Sequence, residues 1–265
     1  MTEEVQRSNL RPMKTLIVLA HPEPLSFNAA LAHAARESLQ AQGHDVRLHD
    51  LQNTRFAADE HARHYTQRKN PSRFDAQTEQ RHSANVDALP SDVQAEIDDL
   101  MWADLVVLQF PLWWFGMPAI LKGWMDRVFV YGKLYSSRRR LHTGVLHGRL
   151  AMLSVTAGSS AADCSPDGKE GDTRLILWPA HYSLHYVGFT VLEPVLVTGV
   201  RGGLEGTAAA EQASYLDMQL DEQRARFANI GSRAALAFNA AEDWDESGKL
   251  KPGAPVHSPF IRHVA

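Results

Sequence analysis

Short apolar runs alternate with helical patterns from Met13 to Val197, and this alternation constrains the fold more than any other feature of the sequence. The first run, Met13 to Ala20, precedes a helical pattern from Ser26 to Gln42, in which Ser26 is a good capping residue and Gly43 a typical stop. Strands that alternate with helices across short turns are typical of parallel βαβ units. The pattern predicts an α/β fold: a doubly wound, five-stranded parallel sheet with helices on both faces.

The later elements follow from the same periodicities. Further strands are predicted at 44–51, 104–110, 149–156 and 188–197, and further helices at 91–102, 118–130 and 207–238. Residues 52–90 are polar and lack sustained periodicity, which predicts a long excursion of the kind that is usually functional or ordered by a ligand or partner.

Residues 239–265 contain turn signals and no clear core periodicity, which leaves two interpretations of this C-terminal tail. In one, it is free. In the other, it wraps a partner subunit, which Trp244, Phe260 and Ile261 favour because a disordered tail would gain little from large apolar side chains.

Composition narrows the class of protein. Lys and Arg number 27 against 31 Asp and Glu, a net charge of −4 that argues against nucleic-acid binding. Residues 1–12 lack the apolar stretch of a secretory signal, and the longest apolar stretch, 105–121, is interrupted by proline and glycine and is shorter than the roughly 20 residues of a membrane-spanning helix. The single cysteine, Cys164, excludes an intramolecular disulfide and a cysteine-based zinc site, and indicates a cytoplasmic location.

Ligands of doubly wound sheets bind beyond the carboxyl ends of the strands, so the loops after strands one, three and four are the informative ones. The first loop, His21 to Asn28, is not a G-x-G-x-x-G turn, but it leads a hydroxyl and an amide into a helix N-terminus, where phosphate is attracted. The alternative is that Ser26 only caps the helix.

The other two loops differ in character. Pro111 to Pro118 holds three consecutive aromatic residues, which form either the walls of a site for a flat conjugated ligand or part of the core. Thr156 to Asp172 is rich in small residues, which either let backbone N–H groups approach a heterocycle or make a flexible surface loop.

Weaker patterns add little. His61 and His64 are expected to be solvated, so no metal site is predicted, and no G-x-S-x-G nucleophile turn occurs. The run Arg138 to Arg140 is either a solvated turn or a group that attracts the phosphate of a cofactor.

Five segments, in order and with similar spacing from about Met13 to Thr198, together resemble the NAD(P)H:quinone oxidoreductase (DT-diaphorase) family of flavodoxin-fold flavoproteins. They are LIVLAHPEPLSFN, ADLVVLQFPLWWFGMPAILKGWMDRVF, SVTAGSS, GDTRLILWP and GFTVLEP. The resemblance implies a flavodoxin-like flavin-binding domain at 13–206, while the residues outside it predict a flexible N-terminus at 1–12 and a dimer-associated helix and tail at 207–265, a region that matches the family only loosely. It further implies a homodimer with bound FAD that passes a hydride from NADPH or NADH to a quinone by a ping-pong mechanism.

The resemblance also assigns residues. Those matched to flavin contacts are His21, Ser26, Phe27, Asn28, Pro111, Leu112, Trp113, Trp114, Phe115, Thr156, Ala157, Gly158 and Ser159. The pocket that stacks nicotinamide and quinone in turn is matched to Trp114, Phe115, Tyr135 and Tyr186.

The sequence departs from the family where a tyrosine and a histidine assist charge relay, since Cys164 and Glu170 stand there, and a second pocket tyrosine is replaced by Ser137. Cys164 and Glu170 are therefore the candidate catalytic residues, with Glu170 a proton donor if burial raises its pKa. The alternatives are an FMN-dependent azo or nitro reductase, a regulatory flavoprotein subunit of a membrane transporter, and a plain interaction domain without flavin.

Overall fold

The computed structural model describes residues 11–264, so the predicted flexible N-terminus lies almost entirely outside the described residues. The fold is a parallel sheet of strand order β2-β1-β3-β4-β5, with β6 also pairing to β4. The strands are β1 (Lys14–Leu19), β2 (Asp45–Asp50), β3 (Leu105–Pro111), β4 (Leu150–Thr156), β5 (Thr190–Val191) and β6 (Val195–Val197). The helices are α1 (Phe27–Ala41), α2 (Ala76–Asn85), α3 (Ser91–Trp102), α4 (Ala119–Val128), α5 (Thr173–Ile176), α6 (Trp178–Tyr186) and α7 (Gly206–Ala228).

Helices cover both faces of the sheet, which confirms the predicted doubly wound α/β fold. On one face Leu16 and Val18 of β1 pack with apolar residues of α3, α4 and α6. On the other, Ile17 and Leu19 pack with α1 and with Phe227 of α7. Successive strand residues point to opposite faces, so strands buried on both sides read as continuous apolar runs.

The predicted fifth strand is two short strands. Thr190 pairs with Leu150, whereas Val195 pairs with Ser154, so the outer chain holds one more residue than β4 between these points. Pro194 precedes β6 and has no N–H to donate, so regular pairing is interrupted there.

The excursion from 52 to 90 contains helix α2, which the sequence patterns did not indicate. Glu79 of α2 is fully buried, accepts the backbone N–H groups of Lys69 and Asn70 at 2.7 and 3.1 Å, and lies 3.2 Å from Arg68 Nε. These contacts hold the pKa of Glu79 below its usual range although burial alone would raise it. One buried carboxylate therefore orders a segment without apolar periodicity.

The predicted helix 207–238 is too long, because α7 ends at Ala228. Arg233 then donates to the backbone carbonyl of Pro194 at 2.5 Å and also to that of Glu193. Leu236 N–H donates to Val191 O at 2.8 Å, and Ala235 forms an antiparallel bridge with Leu192. The chain leaves the helix in order to pair with the outer edge of the sheet.

The tail folds back on its own chain, so the interpretation of a free tail is wrong up to Ser258. Trp244 bridges Leu250, Asn239 donates to Pro255 O at 2.8 Å, and Ser258 is buried. Beyond Ser258, Phe260 is 61% exposed. Whether the tail reaches a partner subunit stays a prediction.

His181 of α6 makes folding sensitive to acid. It is 2% exposed, its Nε2 has no hydrogen-bond partner among the described residues, and burial lowers its pKa to about 4. In the unfolded chain the histidine has an ordinary pKa near 6.5 and binds a proton below it, whereas in the native state it stays neutral down to about pH 4. The free energy of unfolding therefore falls as the pH drops from about 6.5 to about 4.

We expect His181 to lower the free energy of unfolding by an amount on the order of 3 kcal/mol between pH 7.5 and pH 4.5, measured by urea unfolding at both pH values. The variant His181→Asn should lose less stability over this interval than the native chain, and an equal loss would contradict the assignment.

Candidate functional site

The three loops singled out by the sequence lie together, because β1, β3 and β4 are neighbours in the sheet and all run in the same direction. Backbone hydrogen bonds continue past the strand ends: Ala20 N–H donates to Gln109 O at 3.0 Å, and Leu112 N–H donates to Thr156 O at 2.8 Å. The candidate site is this carboxyl edge of the sheet.

A buried hydrogen-bond network joins the three loops. Asn28, 3% exposed in the first turn of α1, donates from Nδ2 to Thr156 Oγ1 at 2.9 Å and accepts at Oδ1 from Gln109 Nε2 at 2.8 Å. The side chains of Asn28 and Thr156 are therefore engaged with each other, and their predicted contact with a cofactor stays a prediction. Pro111 and Ala157 are buried as well.

The aromatic loop is exposed, so the interpretation of these residues as core is wrong. Trp113, Trp114 and Phe115 are 44%, 97% and 58% exposed. Trp114 and Phe115 have φ of 50° and 57°, inside a tight turn closed by reciprocal hydrogen bonds between Trp113 and Gly116 at 2.9 and 3.0 Å. Left-handed backbone at bulky residues costs of order 1–3 kcal/mol each and is concentrated at ligand sites. The turn holds aromatic faces out of the protein.

The aromatic loop and the loop after β4 both present free backbone N–H donors. The N–H groups of Trp114, Phe115, Gly158 and Ser159 donate to no acceptor among the described residues. At Gly158 an added Cβ would lie 3.6 Å from the nearest atom, Val200 O, whereas at Gly168 it would lie 2.2 Å from Ala162 O. Gly168 is needed for the folding of its own loop, while Gly158 leaves space in front of the backbone.

In the first loop, Ser26 caps helix α1 and still has a hydroxyl proton to donate. Ser26 Oγ accepts Ala29 N–H at 3.2 Å, which is the capping geometry, and its own hydroxyl proton remains available. His21 is half-buried, and its ring lies 5.6 Å from that of Trp113, so the first two loops touch. Phe27 packs at the edge of the core below them.

Tyr135 and Tyr186 form a second aromatic group, with ring centroids 5.7 Å apart in an edge-to-face arrangement. They line a cavity of 440 Å³ together with Met117, Phe129 and Tyr182. Burial raises the pKa of Tyr135, so its phenol stays neutral and can donate a hydrogen bond. Trp114 and Phe115 are not among the described residues that line this cavity, so within one chain the four predicted pocket residues form two separate pairs.

The candidate catalytic residues, Cys164 and Glu170, lie in the loop after β4. Cys164 is 7% exposed and lines a 380 Å³ cavity with Arg174, Arg226 and Arg233, beside β6. Glu170 is half-buried, and its N–H donates to Asp163 O at 3.0 Å. Lys169 pairs with Asp163 at 3.3 Å rather than with Glu170. A catalytic role for either residue stays a prediction.

Sequence reasoning missed Gln109 and Tyr182. Gln109 is the one polar residue of an otherwise apolar third strand, and its contact with Asn28 explains it. Tyr182 precedes Tyr186 by four residues on α6, a spacing that places both on one helix face. Each signal was visible once the partner residue had been identified.

In residues 11–264 no helix is long and apolar enough to cross a membrane, and no three His, Cys, Asp or Glu side chains are grouped to hold a metal ion.

A doubly wound parallel sheet with ligand loops after its first, third and fourth strands, and exposed aromatic residues among them, defines the flavodoxin-like class of proteins. The model of the family described as having a flavodoxin-like fold matches residues 13–220. The chain belongs to this family.

Relatives within the family carry names for two kinds of dehydrogenase. The ribosyldihydronicotinamide dehydrogenase (quinone) of Mus musculus is 42% identical over 189 residues, which are 71% of this chain and 82% of the relative. NAD(P)H dehydrogenase (quinone) 1 of Cavia porcellus is 40% identical over 189 residues, 71% of this chain and 69% of the relative. A crystal structure from Klebsiella pneumoniae, described as a candidate quinone reductase, superposes with a TM-score of 0.80 at 32% identity and covers 91% of this chain and 94% of that chain.

The buried network generates a prediction. Asn28→Ala leaves Gln109 Nε2 and Thr156 Oγ1 without partners in the interior, so we expect a loss of about 2–3 kcal/mol in the free energy of unfolding, measured with urea. Thr156→Val removes one end of the network, and it should lower the free energy of unfolding by less in the Asn28→Ala variant than in the native chain. Thr156→Ser keeps the hydroxyl and serves as the control. Strict additivity of the two losses would show that the residues are not coupled.

Proposed function

We propose that this protein is an NAD(P)H-dependent quinone oxidoreductase that works with bound FAD. The observation that carries the proposal is the exposed aromatic turn with free N–H groups beside it, at the carboxyl edge of a flavodoxin-like sheet. Exposed contiguous aromatic surface is uncommon outside binding sites, and a flat heterocycle needs apolar walls and a few well-placed hydrogen-bond donors.

The residues of the three loops fit a flavin. Trp113, Trp114 and Phe115 would contact the faces of its ring, and the N–H groups of Gly158 and Ser159 would donate to its polar edge. The start of α1, with the Ser26 hydroxyl and unpaired first-turn N–H groups, would hold the phosphates. When bound, the flavin would supply the two-electron chemistry that links NAD(P)H to a quinone in the ping-pong scheme of the family.

A second cavity supports FAD over FMN. It measures 310 Å³, is lined by Gly199, Arg201, Gln212 and Tyr215 among others, and adjoins the flavin loop, where Val200 N–H donates to Ala157 O at 3.0 Å. FMN ends at one phosphate and would leave this space unused, whereas an adenosine extension would occupy it. The released flavin, identified by chromatography after denaturation, decides between the two cofactors.

The residues of this chain would contribute orientation and electrostatics. A stacked pocket that holds donor or acceptor at a fixed distance from the cofactor converts a bimolecular reaction into a nearly unimolecular one. The donors at Gly158 and Ser159 would stabilise negative charge at the edge of the ring system, because backbone N–H groups are fixed and need no reorganisation. Cys164 and Glu170 stay the candidate catalytic residues, and Glu170→Gln with unchanged turnover would remove Glu170 as the proton source.

A homodimer completes the proposed pocket. The half-buried Tyr135–Tyr186 pair lines an open cavity and the Trp114–Phe115 pair is exposed, yet the two pairs are separate on one chain, as they would be if each pair faced the other pair of a second copy. The helix and tail at 207–265 would contribute to this assembly through Phe260. The presence of a single cysteine in the sequence supports a reducing, cytoplasmic location.

We expect the purified protein to be yellow, to lose its visible absorbance on addition of NADPH without oxygen, and to regain it on addition of a quinone. The Trp114→Ala variant should keep its thermal stability, because Trp114 is 97% exposed, and should lose most of its quinone reduction. Colour without bleaching by NADPH or NADH would favour the regulatory flavoprotein, and a colourless protein that binds no added flavin would favour the interaction domain.

The free space at Gly158 yields a sharper prediction for the flavin. Because an added Cβ would meet no protein atom closer than 3.6 Å, Gly158→Ala should fold with unchanged stability without cofactor. The methyl group would stand where the ring approaches the backbone, so flavin affinity, measured by fluorescence titration, should fall about tenfold or more. Gly202→Ala, at a glycine with no atom within 4 Å, is the matched control and should bind flavin normally. If Gly158→Ala and the native protein bound flavin with equal affinity, the proposal that the flavin contacts this loop would be wrong.

A further inference from the structure

The turn Arg138–Arg140, which we call the arginine turn, is fixed in shape although all three side chains are exposed. Ser136 Oγ accepts the backbone N–H groups of Arg138 and Arg139 at 3.3 and 3.1 Å. Thr143 Oγ1 accepts Arg140 N–H at 3.3 Å, and its hydroxyl lies 3.2 Å from Arg138 O. Arg139 Nη2 also donates to Gly132 O at 3.1 Å, so the charged groups of the turn are carried on an ordered backbone.

The charge of the arginine turn is not compensated by the protein. The ion pairs among the described residues engage other arginines, such as Arg47, Arg68 and Arg127, and leave these three without a carboxylate. A fourth arginine, Arg81, packs close to the preceding turn, with its guanidinium 5.7 Å from the Tyr131 ring. Like charges held together on an ordered turn attract anions.

The arginine turn adjoins the cavity of Tyr135 and Tyr186. Arg140 Nη1 donates to the Tyr186 hydroxyl at 3.0 Å, and its guanidinium lies 5.7 Å from the centre of that ring. Inside the cavity the lining is mainly apolar and aromatic, and its carboxylate, Asp126, is paired with Lys122. The cavity therefore offers a ligand apolar walls inside and positive charge at its rim.

We propose that the arginine turn binds the phosphate groups of the dinucleotide donor, above all the 2′-phosphate of NADPH, and so sets the donor preference. This inference rests on the proposed function. Guanidinium groups bind phosphate through paired, charge-assisted hydrogen bonds, and a phosphate monoester carries more charge than either bridging phosphate of NADH. Ribosyl dihydronicotinamide, which has the same reacting ring and no phosphate, would gain nothing from the arginine turn.

The test compares three donors, NADPH, NADH and ribosyl dihydronicotinamide, in steady-state quinone reduction. The variant Arg138→Gln/Arg139→Gln leaves Arg140 on Tyr186, and it should raise the KM for NADPH about tenfold or more, the KM for NADH less, and the KM for ribosyl dihydronicotinamide by less than about twofold. The kcat should be unchanged with all three donors. Arg11→Gln/Arg73→Gln removes two exposed charges elsewhere and controls for the overall field of the protein.

A binding measurement keeps the inference testable without turnover. Calorimetric titration with 2′,5′-ADP, which carries the 2′-phosphate and lacks nicotinamide, should give a dissociation constant about tenfold higher for Arg138→Gln/Arg139→Gln than for the native protein. Equal NADPH KM values and equal 2′,5′-ADP affinities would overturn the role of the arginine turn while quinone reduction stands. If no donor reduces a quinone, the proposed function fails, and the titration alone then decides whether the arginine turn binds a 2′-phosphate.

Discussion

The buried side-chain amide of Asn28 is the contact on which the geometry of the site depends. It joins the first turn of α1 to the ends of β3 and β4 through Gln109 and Thr156, and it is the point where three separate loops become one surface. An amide has two donors and two acceptor positions, so it can bridge a donor and an acceptor that apolar packing would leave unpaired. Because the network is nearly dry, each of its bonds resists exchange with water and fixes the loops relative to one another.

The polar network also explains the composition of α7. This helix buries Gln212, Gln219 and Gln223 rather than a stripe of leucines. Gln223 Nε2 donates to Ser154 Oγ at 3.2 Å, and Gln212 Nε2 donates to Gly199 O at 3.0 Å. The sheet face under α7 is apolar near the middle of the strands and polar toward their carboxyl ends, so the helix that covers it must supply hydrogen-bonding groups along the same direction. The apolar part of this face stabilises the fold, and the polar part at the carboxyl ends of the strands positions the loops.

Sequence patterns predicted the sheet, the helices that follow β1 and β3 and the three loops, because buried parallel strands leave unmistakable apolar runs. They failed where one residue decides the structure: Glu79 orders a polar segment, and Arg233 directs the chain to the sheet edge after α7. A single buried ion or guanidinium has no periodicity, and its partners are distant in sequence. The same limit applied within the site, where the sequence did not show that the side chain of Asn28 has two internal partners.

The aromatic turn connects folding to the proposed function. Two bulky residues in left-handed backbone and three exposed aromatic rings both oppose stability, and Trp114 gains almost nothing from its own chain at 97% exposure. Such a turn persists only because the bonds between Trp113 and Gly116 close it and the network below anchors the strand that carries it. Contacts from outside the chain would offset the exposure of the rings, and a flat cofactor on one side of the turn with the tyrosine pair of a second copy on the other would supply them. In this arrangement the rings are exposed in the free chain and covered on assembly, so cofactor binding and dimerisation should reinforce each other.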